Sequence, residues 1–429
     1  MEIAALVVLT TFLGLMAFGM PVFLAMGVGA ALGTYMLGGS DRLFADMALG
    51  TFNALNSFVL LAIPLYILAG TLLEATGLST RLFTFASSWV GELRGGLGVA
   101  TVIASSIFAA ISGSSVATAA TIGVVALPAL TGRGYAPERS GALIAAGGTL
   151  GILIPPSIGL LVYGALTDQS VGALFVAGVV PGIVLAFFMA LYTSSTTPRE
   201  LSCARLPLSK RLESLRAAGP VLALPIIVFV GIYSGLATPT EVAAIAVFYI
   251  LIVGLLYRCL GFSEIMQAGS RALSASVMIF MLVAFGSLLT EFFTQSRVPQ
   301  ALTDAIAMSG LSRFWIVTLV VLFYFILGMF LEALSMMLIT VPILFPLSQQ
   351  LGINPLAFGI FVVLAVEMAQ ITPPVGINLF TIAGIGKIRL DKLSRSIIPY
   401  VLILVVMMYL MVYVQGLATW LPSTMQYGQ

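Results

Sequence analysis

Ten or more apolar runs, among them Ala217 to Ile232, Val242 to Leu256 and Val401 to Val414, approach the roughly 20 residues an α-helix needs to cross about 30 Å of hydrocarbon. With 60% hydrophobic and 8% charged residues and a mean hydropathy of +1.15, no water-soluble fold can hide so much apolar surface. The solvent is lipid. Alternating apolar and polar strands are absent, which leaves a helical bundle whose backbone groups are satisfied within each segment. Met1 to Gly19 lacks a basic n-region and a small-residue cleavage site followed by a polar domain, and is read as a first membrane helix. A net charge of +2 points to no nucleic-acid partner, and the few basic residues fall in short loops where they set topology. Cys203 and Cys259, the two cysteines, sit beside Arg-bearing loops expected in the cytoplasm and are read as free thiols.

Prolines are fixed points in a helical protein, and a shift of 218 residues superimposes six pairs of them: Pro21/Pro239, Pro128/Pro346, Pro137/Pro355, Pro155/Pro373, Pro156/Pro374 and Pro181/Pro399. Gly134/Gly352 and Gly141/Gly359 obey the same offset. The chain therefore reads as a duplication, with repeats 1–211 and 219–429 joined by a polar linker, 196–218, expected in the cytoplasm. Each half predicts two helices meeting at a proline (3–18 and 20–37; 219–236 and 238–257), then a third (53–75; 271–293) and an amphipathic stretch (80–93; 298–308). An interrupted apolar region follows (95–131; 313–349), then a helix broken at Pro-Pro (137–167; 355–385) and a final helix (170–195; 397–419).

The loop after the first interrupted region carries Arg133 and Arg139, while its mate, Ser348 to Asn354, is uncharged. Conversely, Thr167 to Gly172 holds only Asp168, whereas its mate holds Lys387, Arg389, Lys392 and Arg395. Equivalent loops thus belong on opposite sides of the membrane, as an odd number of crossings per half requires. The expected fold is an all-α polytopic membrane protein of two inverted-topology repeats, each with five crossings, a re-entrant helical hairpin and a Pro-Pro-broken helix. Both termini then lie outside.

Small and polar residues gather at the first hairpin turn, Ser112, Gly113, Ser114 and Ser115, ahead of Thr118 and Thr121; the equivalent turn runs from Phe330 to Ser335 through Glu332. Non-helical backbone at membrane depth is tolerated only in protein or facing a wet cavity, so both turns are expected to face inward. Each Pro-Pro pair removes backbone donors and unwinds its helix. The freed carbonyls, with Ser and Thr hydroxyls, make a hard-oxygen cage suited to Na⁺, while half-helix N-termini suit an anionic solute. Hairpin and broken helix of one half make one site, and the inverted mate makes a second. Glu332 and Glu367 are intramembrane acids, functional unless paired structurally. Gln370 and Asn378 either line the solute cavity or cap freed backbone groups.

Three segments carry a resemblance: Ser112 to Gly123 (SGSSVATAATIG), Gly147 to Ser157 (GGTLGILIPPS) and Ile371 to Phe380 (ITPPVGINLF). With their order along essentially the whole chain, they resemble the large membrane subunit of tripartite ATP-independent periplasmic (TRAP) transporters. The resemblance implies an elevator-type ion-transporter fold and Na⁺-coupled uptake of an organic anion, such as a sialic acid or C4-dicarboxylate. It implies a bacterial inner-membrane location, a small four-helix membrane subunit and a soluble periplasmic binding protein as partners, and 80–93 and 298–308 as arms joining a moving domain to a scaffold. Carried over by position, one Na⁺ site uses Ser112 and Ser115 with the backbone of Gly151, Ile154 and Pro156; the second uses Gly328, Ala369, Thr372 and Val375. The substrate cavity is expected to draw on Ser114, Ser157, Glu332, Glu367, Gln370 and Asn378. The family often has glycine where Ala369 stands and aspartate where Glu332 stands. A stand-alone Na⁺- or H⁺-coupled carrier remains the alternative. An enzyme is disfavoured by the lack of histidine and of any nucleophile-and-base pattern, and a channel by two occluding hairpins.

Overall fold

Several helices in this chain start on or directly after proline, among them those beginning at Val22, Pro137, Leu208, Pro239 and Pro355. The computed structural model describes residues 2–38 and 43–425, so Met1 and residues 426–429, at the outer ends of the expected repeats, lie outside the described residues. Nineteen described helices have ten residues or more. The first ten are α1 (Glu2–Ala17), α2 (Val22–Met36), α3 (Leu43–Leu55), α4 (Ala62–Thr76), α5 (Ser79–Val90), α6 (Gly96–Ser112), α7 (Ser115–Gly132), α8 (Pro137–Gly148), α9 (Ile158–Thr167) and α10 (Val171–Thr196). The others are α11 (Leu208–Tyr233), α12 (Pro239–Leu256), α13 (Phe262–Gln295), α14 (Val298–Met308), α15 (Arg313–Leu327), α16 (Ala333–Gln350), α17 (Pro355–Gln370), α18 (Ile377–Gly386) and α19 (Leu390–Tyr413).

The boundaries obey the proline offset. A shift of 218 carries α7 onto α16 at both ends, and α8 and α17 both start on proline, a residue preorganised for the first helical position, where its missing N–H is no loss. Both interrupted regions are helical hairpins. The first turns through Gly113 and Ser114, with Gly113 in the left-handed region at φ 61°; the second turns through residues 328–332. Both expected broken helices are broken, α8 from α9 and α17 from α18.

Four expectations of extent are corrected. The third helix of the second half, expected over 271–293, is α13, 34 residues or about 50 Å at 1.5 Å per residue. Its first turns carry Ser263, Glu264, Gln267 and Arg271, which lower hydropathy without breaking a helix. The counterpart expected at 53–75 is instead two helices, α3 and α4, parted at Asn56 and Ser57 and rejoined through a 3-10 turn, Phe58–Leu61. The last helix, expected over 397–419, starts seven residues earlier and stops at Tyr413, for the same hydropathy reason: Asp391, Lys392 and Arg395 lie in its first turns. The linker expected over 196–218 shrinks to 197–207, because α11 begins at Leu208, directly after Pro207.

Packing exchanges elements between the halves. α7 lies on α18 and α9 on α16; α8 lies on α19 and α10 on α17. Each half thus lends the second arm of its broken helix to the other half's hairpin, while the first arm stays on its own half's hairpin. Small residues on α6, including Gly98, Ala100, Ala104 and Ala109, are buried and let α7 and α8 approach closely. A second group, α2, α4, α12 and α13, packs chiefly among itself, with the Tyr66 hydroxyl of α4 donating to Pro239 O at the start of α12 (2.9 Å).

α5 lies along α11, where Ser88 Oγ and Ser214 Oγ stand 2.6 Å apart and Glu92 pairs with Arg211 at 2.9 Å and Arg205 at 3.4 Å. Glu92 is partly solvated, and pairs of that kind contribute roughly 0.2–1 kcal/mol. Glu92→Ala is therefore expected to cost about 1 kcal/mol or less, measured by thermal unfolding in detergent, and to leave helical content unchanged by circular dichroism.

Candidate functional site

In an unbroken helix Gly151 O and Ile152 O would accept from residues 155 and 156. Both are proline and have no N–H to give. The Ser157 hydroxyl takes over one of these acceptors by donating to Ile152 O, and accepts from Leu160 N at 3.1 Å, so it caps α9. Gly151 O receives no such replacement among the described residues. The Cα of Gly151 faces the tip of the first hairpin: a Cβ on Gly151 would stand 2.5 Å from Ser114 O, and one on Gly113 2.9 Å from Pro156 O. The tip therefore sits backbone to backbone on the break. Ser112 Oγ lies 2.9 Å from Thr118 Oγ1, which donates to Ser114 O at 2.8 Å, so the hydroxyls brace the turn. Ile154 turns its side chain toward Gly182 of α10. Ser112, Ser115, Gly151 and Pro156 thus lie together at the tip, while no contact places Ile154 there.

In the second half Gly328 rests on Ala369, whose Cβ occupies the space a side chain at 328 would need. The alanine at 369 is accommodated by the glycine facing it. Thr372 is buried; its hydroxyl donates to Met368 O at 2.6 Å and its N–H to Ala369 O at 3.2 Å. Val375 is half exposed, followed by Gly376 at φ 40°.

Between the two hairpin tips lies a cavity of about 330 Å³. Ser112, Ser114, Ser115, Glu332 and Gln370 line its core side, and Thr71, Glu74 and Met278 of α4 and α13 line the other. Of the six residues expected to form a substrate cavity, Ser114, Glu332 and Gln370 meet there. Ser157 does not, being committed to Ile152 O and Leu160 N. Glu367 and Asn378 are 0% exposed, behind the tip rather than beside the cavity. Thr71 and Glu74 went unforeseen, although an acid at the end of the apolar run 53–75 was a visible signal. Glu74 pairs with Arg271 of α13 at 3.3 Å.

Glu332 has a structural task. Its carboxylate accepts from Ser335 N at 2.8 Å, Leu334 N at 3.2 Å and Ser335 Oγ at 2.8 Å, capping α16. Its mate at the 218 offset, Ser114, caps α7 by accepting from Ala117 N at 3.4 Å. One tip thus ends in a neutral hydroxyl and the other in a carboxylate. Since a helix N-terminus favours negative charge, α7 retains the greater attraction for an anion.

A wider cleft of about 450 Å³ lies between α6, α10 and α11. Ser106 is the one hydroxyl on its otherwise aliphatic and aromatic walls, so it offers an anion nothing.

Two hairpins meeting two proline-broken helices around a shared cavity define a polytopic membrane protein of transporter fold. The same fold occurs in the crystal structure of the Alcanivorax borkumensis YdaH transporter, which aligns with a TM-score of 0.64 over 88% of this chain and 89% of that one at 17% identity. Residues 9–417 match the family described as tripartite ATP-independent periplasmic transporter, DctM component. The chain is 35% identical over 99% of its length, and 98% of the relative's, to the C4-dicarboxylate TRAP transporter large permease protein DctM of Vibrio cholerae. It is 31% identical over 97% of its length, and 98% of the relative's, to the sialic acid TRAP transporter large permease protein SiaM of the same organism. The chain belongs to the DctM family of TRAP transporter large permeases.

Proposed function

We propose that this permease imports an organic carboxylate with Na⁺ by an elevator movement in a bacterial inner membrane. It would do so with a small four-helix membrane subunit and a periplasmic binding protein, and with both termini periplasmic. The observation that carries the reading is the seat of the first hairpin tip on the proline break, where Gly151 O has lost its donor and buried hydroxyls stand alongside. Hard oxygens without donors in a water-poor site suit a small hard cation, which here is cargo moving with the solute. Ser112, Ser115 and the carbonyls of Gly151, Ile154 and Pro156 would hold one Na⁺; Gly328, Ala369, Thr372 and Val375 the other. The solute would lie in the 330 Å³ cavity, its carboxylate toward the N-terminus of α7. That cavity separates the interlocked hairpins and broken helices from α4 and α13, the boundary across which one body slides past another in an elevator.

The test is uptake in proteoliposomes containing the membrane subunits, with binding protein outside. Uptake should follow an imposed Na⁺ gradient, and Ser115→Ala and Thr372→Ala should each raise the Na⁺ concentration for half-maximal uptake about tenfold, equivalent to losing a ligand worth ~1.4 kcal/mol. Uptake driven by a pH gradient alone in Na⁺-free buffer would refute the coupling.

A further inference from the structure

Behind the first hairpin tip are two polar side chains that the carrier reading has not used. Glu367 closes α17 and Asn378 opens α18, on either side of the second proline break. Both are 0% exposed, and neither carboxyl oxygen of Glu367 nor either amide atom of Asn378 has a hydrogen-bond partner within the protein. Among the described residues Glu367 enters no ion pair.

Ser115 joins them. Its hydroxyl approaches the Glu367 carboxyl. A Cβ on Gly148 would stand 2.9 Å from Ser115 O and 3.3 Å from Asn378 Nδ2, so the amide and the Ser115 carbonyl crowd the same glycine. The fold itself does not require polarity here. At the 218 offset Glu367 corresponds to Thr149, whose hydroxyl is satisfied by Ala146 O at 2.6 Å, and Asn378 corresponds to Leu160, an apolar buried residue. Only the second half carries the acid and the amide, and buried polar groups left unpaired are costly unless something else completes them.

We propose that Glu367, Asn378 and Ser115 form a third Na⁺ site, filled together with the site at the hairpin tip. The available donors are hard oxygens: the Glu367 carboxylate, Asn378 Oδ1, and the hydroxyl and carbonyl of Ser115. A cation among them satisfies several oxygens at once, whereas a proton on Glu367 satisfies one. It also leaves the buried centre electrically neutral when it moves through the membrane. Sharing Ser115 couples this site to the first one, so the tip is fully ordered only when both are occupied. The inference rests on the Na⁺-coupled reading above.

The test uses the reconstituted wild-type complex and dicyclohexylcarbodiimide, which labels carboxyls in apolar surroundings, with mass spectrometry reading modification at Glu367. Na⁺ at fixed pH should block labelling in a saturable way, K⁺ should not, and the half-protecting Na⁺ concentration should rise about tenfold in Asn378→Leu, which installs the residue found at the equivalent position, Leu160. Indifference to Na⁺, absence of labelling in either condition, or an unshifted half-protecting Na⁺ concentration in Asn378→Leu would each overturn the site. In parallel, reversal potentials of solute-driven current give the Na⁺ count, and Glu367→Gln should transport one Na⁺ fewer per solute; an unchanged count would refute the proposal. Na⁺-driven uptake with Glu367 unprotected sinks the third site alone. Na⁺-independent uptake sinks the carrier reading as well.

Discussion

Gly151→Val is expected to abolish Na⁺-driven uptake, with a loss of well over tenfold, while the protein still inserts and folds. A Cβ at 151 would stand 2.5 Å from Ser114 O and 2.8 Å from Ser115 Cα, and its neighbours there are backbone, which cannot swing aside as a long side chain can. Overpacking of this kind costs about 1–3 kcal/mol. The chain can relieve it only by lifting the hairpin tip off the break, which pulls Ser112 and Ser115 away from the carbonyls of Gly151 and Pro156. Uptake against Na⁺ concentration checks this, with Gly384→Val as the control, since a Cβ at Gly384 meets nothing within 4 Å. Wild-type Na⁺ dependence in Gly151→Val would show that the tip and the break do not act as one site.

Glu332→Ala is the second large effect. It removes the acceptor for Ser335 N, Leu334 N and Ser335 Oγ at a tip that must stay folded beside the cavity. Losing an N-cap costs about 0.5–2 kcal/mol, and loss of the charge–dipole attraction adds to it. We expect a lower unfolding temperature and uptake reduced about tenfold or more. Glu332→Ser should recover the unfolding temperature and most of the uptake, because Ser114 caps the equivalent helix with a hydroxyl. If Glu332→Ser regains stability but transports no better than Glu332→Ala, the carboxylate acts on the solute or its cation rather than through the cap.

Much of this architecture was legible from proline. A residue without an N–H and with a fixed φ favours a helix start, and two in succession break one, so Pro137/Pro355 and the two Pro-Pro pairs named the elements of the centre before any packing was known, although Pro128/Pro346 and Pro181/Pro399 lie inside continuous helices. Hydropathy was a poorer ruler. Glu264 and Arg271 sit inside α13, and Asp391 and Arg395 inside α19, because long polar side chains at helix ends reach water without disturbing the backbone. The break between α3 and α4 carries no proline and was missed.

The site was legible in part. Ser112, Ser115 and Gly151 belong to the motifs that interrupt helices, and interruption is a local property. Which of the polar residues would share a cavity was not local. Glu332, Glu367, Gln370 and Asn378 look alike in sequence, as intramembrane polar side chains near a break. Thr71 and Glu74, which complete the cavity, lie on a helix with no motif at all.

By itself, then, the sequence determined the solvent, the duplication and the two helix breaks at Pro-Pro, since these depend on backbone chemistry and on apolar length alone. Only the tertiary structure decided that the second arm of each half's broken helix docks on the other half's hairpin, that Glu332 caps a helix at the cavity, and that Glu367 and Asn378 are sealed behind it. Those assignments depend on which helix faces which, and that is settled by contacts between residues some two hundred positions apart, such as the Tyr163 hydroxyl donating to Pro355 O at 2.7 Å.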